Sequence, residues 1–211
     1  TLQVYDGKVY CPEDNGTTMR IYDIVSNTWI TGSNAPESAS RATSQLFEGK
    51  IYCPANGGTA MHIYDIKSDT WFIGANAPES VGRRTSHLYN GKIYCPSSGS
   101  AAIHIYDIAS DTWTVGTPAP ASANRWTSQL YNNKIYCVAD YRTAMHIYDI
   151  VSDSWTVGAP APMSSGGIPT YLSRRTSQLY NDKIYYPGNR VPFLDIYNIT
   201  SDTWSAGARP L

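Results

Sequence analysis

Polar and apolar residues alternate along this chain with a period of two, in short runs bounded by turn residues. Lys92-Ile93-Tyr94-Cys95-Pro96 and Ile103-His104-Ile105-Tyr106-Asp107 show the pattern. Such alternation predicts half-buried strands, and no window sustains the i, i+3, i+4, i+7 spacing of a helix without a Gly or Pro breaking it. In the stretch from Thr85 to Val115 the pattern predicts strand A over Thr85–Tyr89, strand B over Lys92–Pro96, strand C over Ala102–Ile108 and strand D over Thr112–Val115. Asn90-Gly91 is a two-residue hairpin signal between A and B, and Ser110-Asp111 supplies the turn between C and D.

The same pattern returns five times. LFEGKIYCPANGGTAMHIYDIKSDTW begins at Leu46, LYNGKIYCPSSGSAAIHIYDIASDTW at Leu88 and LYNNKIYCVADYRTAMHIYDIVSDSW at Leu130, with looser copies from Val4 and Leu179. The equivalent tryptophans, Trp29, Trp71, Trp113, Trp155 and Trp204, are spaced by 42, 42, 42 and 49 residues, so the last step carries an insertion of seven, around Ser165 to Leu172. Four antiparallel strands in about 42 residues form the unit of a β-propeller blade, in which repetition protects sheet edges. The expected fold is therefore all-β: a five-bladed β-propeller of four-stranded antiparallel blades, forming one domain over 1–211. Its blades are expected at about 1–32, 43–74, 85–116, 127–158 and 176–207. The chain starts at strand A and ends just past strand D, so the fifth blade is expected to pack on the first. The rival is a fragment of a larger propeller of about six or seven blades.

The Gly-Lys-Ile-Tyr, Ile-Tyr-Asp and Asp-Thr-Trp elements, with seven residues from Tyr106 to Trp113, resemble the kelch repeat over essentially the whole chain. The usual glycine pair after strand B is replaced by Cys53-Pro54 and its equivalents. The resemblance implies a propeller, and kelch-like propellers commonly serve in protein interaction; five-bladed propellers also include lectins.

Residues that look chemical mostly repeat once per blade. Cys11, Cys53, Cys95 and Cys137 sit one per strand B, too far apart for disulfides if sheets hold their normal spacing, so they read as buried core thiols. His62, His104 and His146 share a strand C position, where Arg20 and Asp195 stand in the first and fifth blades. Equivalent strands cannot bring three imidazoles to one zinc ion, and a partly exposed outer position is expected. The strand B and C tyrosines and the five tryptophans read as wedges between sheets, and Asp23, Asp65, Asp107 and Asp149 as turn-formers. No set of nucleophile, base and orienting group is visible. The expectation is a protein that is not an enzyme, with no catalytic residue, metal or cofactor; a kelch-like copper oxidase is disfavoured because no plausible ligand cluster is present.

Function is sought where the repeats stop repeating. The loops from B to C and the linkers from D to A leave each blade at one end, and nearly all divergence between repeats lies there, as is usual for binding surfaces. Charge divides the same way. The chain is nearly neutral, with 16 Lys+Arg against 17 Asp+Glu, which argues against a nucleic-acid coater. The variable end carries eight arginines against five acids, and the other end six lysines against eleven acids. Arg41, Arg83, Arg125 and Arg174 recur just before strand A, and Trp126, Tyr141, Tyr171 and Phe193 are aromatics that no other repeat shares. Arginine suits carboxylates, and aromatic plus arginine is the usual composition of a binding hot spot. The expected ligand-binding set is Arg83, Arg84, Arg125, Trp126, Tyr141, Arg142, Tyr171, Arg174, Arg175 and Arg190, taking a polar or anionic ligand such as an acidic peptide or glycan. A competing reading has these arginines capping carbonyls or pairing with local acids. The alternative function is structural: oppositely charged faces stacking head to tail, with self-association.

No run of about 18 apolar residues is present to span a membrane. Few lysines and near-identical repeats suit an extracellular or cell-surface protein, while unpaired cysteines suit the cytoplasm. A start at Thr1 leaves room for a removed leader, and Asn15-Gly16-Thr17 and Asn198-Ile199-Thr200 match the glycosylation pattern.

Overall fold

Each repeat folds as one four-stranded antiparallel sheet in a computed structural model that describes residues 2–80, 82–121, 127–138, 144–160, 176–187 and 194–207. The first sheet comprises β1 (Gln3–Tyr5), β2 (Lys8–Pro12), β3 (Met19–Asp23) and β4 (Thr28–Thr31). The second holds β5 (Gln45–Phe47), β6 (Lys50–Pro54), β7 (Met61–Asp65) and β8 (Thr70–Gly74), and the third β9 (His87–Tyr89), β10 (Lys92–Pro96), β11 (Ile103–Asp107) and β12 (Thr112–Val115). The fourth is β13 (Ser128–Tyr131), β14 (Lys134–Val138), β15 (Ala144–Asp149) and β16 (Ser154–Pro160), and the fifth β17 (Gln178–Tyr180), β18 (Lys183–Pro187), β19 (Leu194–Asn198) and β20 (Thr203–Ala206). Strands pair in chain order within every sheet, and no helix occurs among the described residues. The all-β, five-bladed expectation therefore holds, and in the third sheet strands B and D fall where expected while A and C are one or two residues shorter at their ends.

Two compact units make up the chain: Thr1–Ser97 with His104–Val115, and Ser98–Ile103 with Gly116–Leu211. In the first unit, successive blades pack face to face because every strand alternates. Ile51, Cys53 and Tyr64 face back onto Tyr10, Met19 and Ile21 of the blade before, while Tyr52 and Met61 face forward onto Ile93, Cys95 and Tyr106. The second unit repeats this between Tyr136, Val138 and Met145 on one blade and Ile184, Tyr186 and Tyr197 on the next. Each fully buried Ile or Met contributes about 1.5–3 kcal/mol of apolar burial. Cys53, Cys95 and Cys137 are buried in these layers, Cys11 is half-buried, and all four are free thiols.

Hairpin chemistry explains the turns. Asn90 (φ 46°) and Gly91 (φ 70°) both occupy the left-handed region, as a two-residue hairpin of this type requires. Asp65 Oδ1 accepts the Lys67 and Ser68 amides, and Asp23, Asp107 and Asp149 form the same turn. The turn-forming role read for these acids is thus correct.

A second acid of that hairpin fastens one blade to the next. Asp69 Oδ1 accepts the Tyr64 hydroxyl at 2.6 Å and the Ser33 amide of the preceding linker at 2.7 Å, while the Ser33 hydroxyl donates to the Asp69 carbonyl. Trp71 Nε1 donates to the Ser33 carbonyl at 2.9 Å. Within the second unit Asp153, Tyr148, Trp155 and Thr117 make the same clasp. Gly32 lies so close that a Cβ there would sit 2.9 Å from both Asp69 Oδ1 and the Tyr64 hydroxyl, which is why glycine follows strand D.

Candidate functional site

The variable end of the first unit is built around two buried arginines. Arg41 is 2 % exposed; its amide donates to Asp14 Oδ1, and its guanidinium donates to the carbonyls of Gly16 at 2.5 Å and Glu37 at 2.8 Å while lying over the Trp71 ring. Arg83 is 1 % exposed and repeats the arrangement one blade on. Its amide donates to Asn56 Oδ1, its guanidinium to the carbonyls of Gly58 and Glu79, and its plane lies over Trp113. Each arginine therefore satisfies carbonyls from a B-to-C loop and from the following linker, pinning the two segments together. Burial lowers the pKa of both guanidiniums, opposed by nearby carboxylates.

Arg83 was expected to contact ligand, and the structure corrects this. Its charge is turned inward because the loop carbonyls have no strand partner and need a donor. Arg84, its neighbour, is exposed at this end. Arg125, Trp126, Tyr141, Arg142, Tyr171, Arg174, Arg175 and Arg190, and Phe193 beside them, lie outside the described residues.

The strand C histidines are also corrected, from partly exposed to buried: His62 and His104 are 0 % exposed and His146 is 3 %. Alternation puts them on the same side as Tyr64, Tyr106 and Tyr148, and so inside. His62 Nε2 donates to Glu37 Oε1 at 3.0 Å, and His104 Nε2 lies 3.1 Å from Glu79 Oε1. His104 Nδ1 faces Arg83 Nη2 at 3.3 Å, an acceptor's position that fits the neutral ring. Burial first, then the nearby arginine, holds both imidazoles below their ordinary pKa, although the glutamates pull the other way.

Linker and loop enclose a cleft of about 540 Å³ at this end of the second blade. Glu37 and Ser40 line it from the linker, Asn56 and Thr59 from the loop, and Ile73 and Asn76 from the end of strand D. Among the described residues no Lys or Arg lines it. The Asn56 side-chain amide donates to Ser40 Oγ and its backbone amide to the Ser40 carbonyl, so the walls are tied together. Sequence reasoning missed this cleft because it looked for charge and aromatics; the signal it had was that Asn56 and Asn76 occur together in one repeat only.

The hairpin end is uniform by contrast. Lys8, Lys92 and Lys134 each pair across the sheet with Asp23, Asp107 and Asp149. Backbone amides of the turn and these lysines together hold the three carboxyls down at about 2. No helix among the described residues is long and apolar enough to cross a membrane, and among those residues no group of three or more His, Cys, Asp or Glu could hold a metal ion. No protein-family model matches the chain, and no curated protein sequence matches it.

Proposed function

We propose that this chain is a non-enzymatic binding module, a divergent relative of kelch-type propellers, that presents a polar-ligand site where the B-to-C loops and D-to-A linkers meet. The observation that supports this most is the contrast between the two ends of the blades. At the hairpin end three blades repeat the same lysine–aspartate pair, and the same side-chain-capped turn recurs on Asp23, Asp65, Asp107 and Asp149 and on Asn198 in the fifth blade. At the other end sequence diverges between blades, yet Arg41 and Arg83 hold the divergent segments in fixed shapes from beneath. A rigid frame under variable residues lowers the ordering cost of binding.

Head-to-tail stacking draws less support, because Arg41 and Arg83 of the loop end are buried and engaged with carbonyls and so are lost to a positive face. An extracellular or cell-surface setting fits a ligand of this kind.

Screening the intact protein against arrays of glycans and acidic peptides, at low and at physiological salt, tests the reading. Hits that survive Lys67→Ala at the hairpin end and fall with Arg84→Ala, or with the double substitution Arg125→Ala and Arg174→Ala, support it. Blank arrays, or hits that follow Lys67, refute it and leave assembly as the better account.

A further inference from the structure

We infer that the cleft between the Glu37–Ser40 linker and the Ala55–Ala60 loop is a binding site for one uncharged sugar residue. The inference rests on the binding-module reading and narrows it. The cleft's 540 Å³ falls at the scale of small-molecule sites, roughly 300–1,000 Å³. Its lining offers what a ring bearing several hydroxyls requires: donors and acceptors side by side, and an apolar ledge for carbon-bound hydrogens.

The donors and acceptors are specific. Asn76 is exposed, and its side-chain amide makes no other bond among the described residues. Thr59 contributes a hydroxyl on the opposite wall. Glu37 presents a carboxylate that is 52 % exposed and is oriented through Oε1 by the buried His62, which leaves Oε2 as an acceptor for a hydroxyl. Ile73, 50 % exposed at the cleft's edge, supplies the ledge. Asn56 is fixed by Ser40 and by the Arg83 amide, so the walls need no reordering when a ligand enters.

Charge excludes the acidic alternatives. Among the described residues Glu37 is the one ionisable side chain lining the cleft, while the two neighbouring arginines are buried and engaged with carbonyls. A uronate or other acidic sugar would meet an unopposed carboxylate. The site belongs to one blade. Positions equivalent to Asn56 and Asn76 read Asp14 and Asn34, Ser98 and Pro118, Asp140 and Pro160, and Asn189 and Arg209 elsewhere, so only the second repeat has both amides.

Amide NMR titration with methyl glycosides of glucose, galactose, mannose and N-acetylglucosamine, and with glucuronate, is the test. At least one neutral glycoside should shift the amides of Gly57, Gly58 and Asn76, and Asn76→Ala, an exposed change that leaves the fold intact, should weaken it about tenfold, or 1.4 kcal/mol. Glucuronate should not bind the natural protein but should bind Glu37→Gln, which keeps an acceptor for His62 and removes the charge; a residue of merely structural importance would not change selectivity in this way. Absence of neutral-sugar binding, shifts away from the cleft, or affinity unmoved by Asn76→Ala overturns the inference. If acidic ligands on the arrays still depend on Arg84 or Arg125, the module reading stands without the cleft; if the arrays are blank as well, both fall.

Discussion

Removing the Asp69 carboxylate should loosen the second blade from the first by an amount that the geometry allows to be worked out. Asp69 Oδ1 accepts two hydrogen bonds, from the Tyr64 hydroxyl at 2.6 Å and from the Ser33 amide at 2.7 Å. Tyr64 is 1 % exposed, so Asp69→Ala leaves a buried hydroxyl without its acceptor, at about 1–2 kcal/mol. Ser33 is half-buried, but its bond to Asp69 lies where water can replace the lost partner, so that bond adds only about 0.5 kcal/mol. Asp69 also has φ 51°, a left-handed conformation that aspartate tolerates and alanine resists by about 1 kcal/mol. The sum for Asp69→Ala is about 3 kcal/mol, on the scale of the larger single-substitution effects. Asp69→Gly, free of the backbone strain, should cost about 2 kcal/mol. Asp69→Asn should cost under about 1 kcal/mol, because Asn27 already performs this task for Tyr22 at 2.5 Å in the first blade. Urea unfolding of the three variants measures these values, and a double-mutant cycle with Tyr64→Phe should show a coupling of about 1 kcal/mol. A cost for Asp69→Ala below about 0.5 kcal/mol, or no coupling to Tyr64, would refute the reasoning.

Three further outcomes are expected. Arg83→Met strips donors from the carbonyls of Ala55, Gly58 and Glu79 and should destabilise by about 3 kcal/mol, with faster amide exchange across 55–58 and 79–83, while Arg84→Met should change stability by less than about 0.5 kcal/mol; equal effects would contradict the burial of Arg83. Stability should be level between about pH 6.5 and 8 and fall as the medium is acidified below that range. There the unfolded chain takes up protons on His62, His87 and His104 that the folded chain resists, with burial pushing His87 down to about 4. Each such group sets a slope of up to about 1.4 kcal/mol per pH unit until its folded pKa is reached, less where water screens it, and His87→Gln should shallow the fall; stability that rises on acidification would contradict this. Finally, a disulfide-exchange reagent should leave Cys53, Cys95 and Cys137 untouched in the native protein, since burial pushes the first two thiols up to about 12, whereas unfolding should expose all four; fast native labelling of three or more would overturn the packing.

Strand number, order and hairpin chemistry were legible because they rest on period-two alternation and on turn residues, both local, and because five copies average out the noise of any one. The site was less legible because it depends on which way a long polar side chain points. Arg41 and Arg83 could be read as ligand-facing charge or as caps for carbonyls, and the second reading holds for both, because the carbonyls of irregular loops at 13–16, 37–39 and 55–58 needed donors and a long side chain beside a tryptophan could reach them from inside. Recurrence at one fixed place before strand A was the sign of a structural duty. The histidines were misjudged for a simpler reason: His62 is two residues from Tyr64, so the alternation that puts Tyr64 between sheets puts His62 there too. The clasp of Asp69, Gly32 and Trp71 was signalled by a glycine three residues past each tryptophan, but the meaning of that glycine at positions 32, 74, 116 and 158 appears only when an aspartate carboxylate is seen against it.

Whether ligand is received at the loop end or at the hairpin end is decided most directly by mapping amide shifts over the whole protein as the strongest array hit is added. Shifts gathered on residues 13–18, 37–41, 55–60 and 79–84, with the hairpins at 23–27, 65–69 and 107–111 unmoved, are the result expected. Shifts centred on those hairpins, with the loops silent, would contradict a binding face built on the divergent ends of the blades.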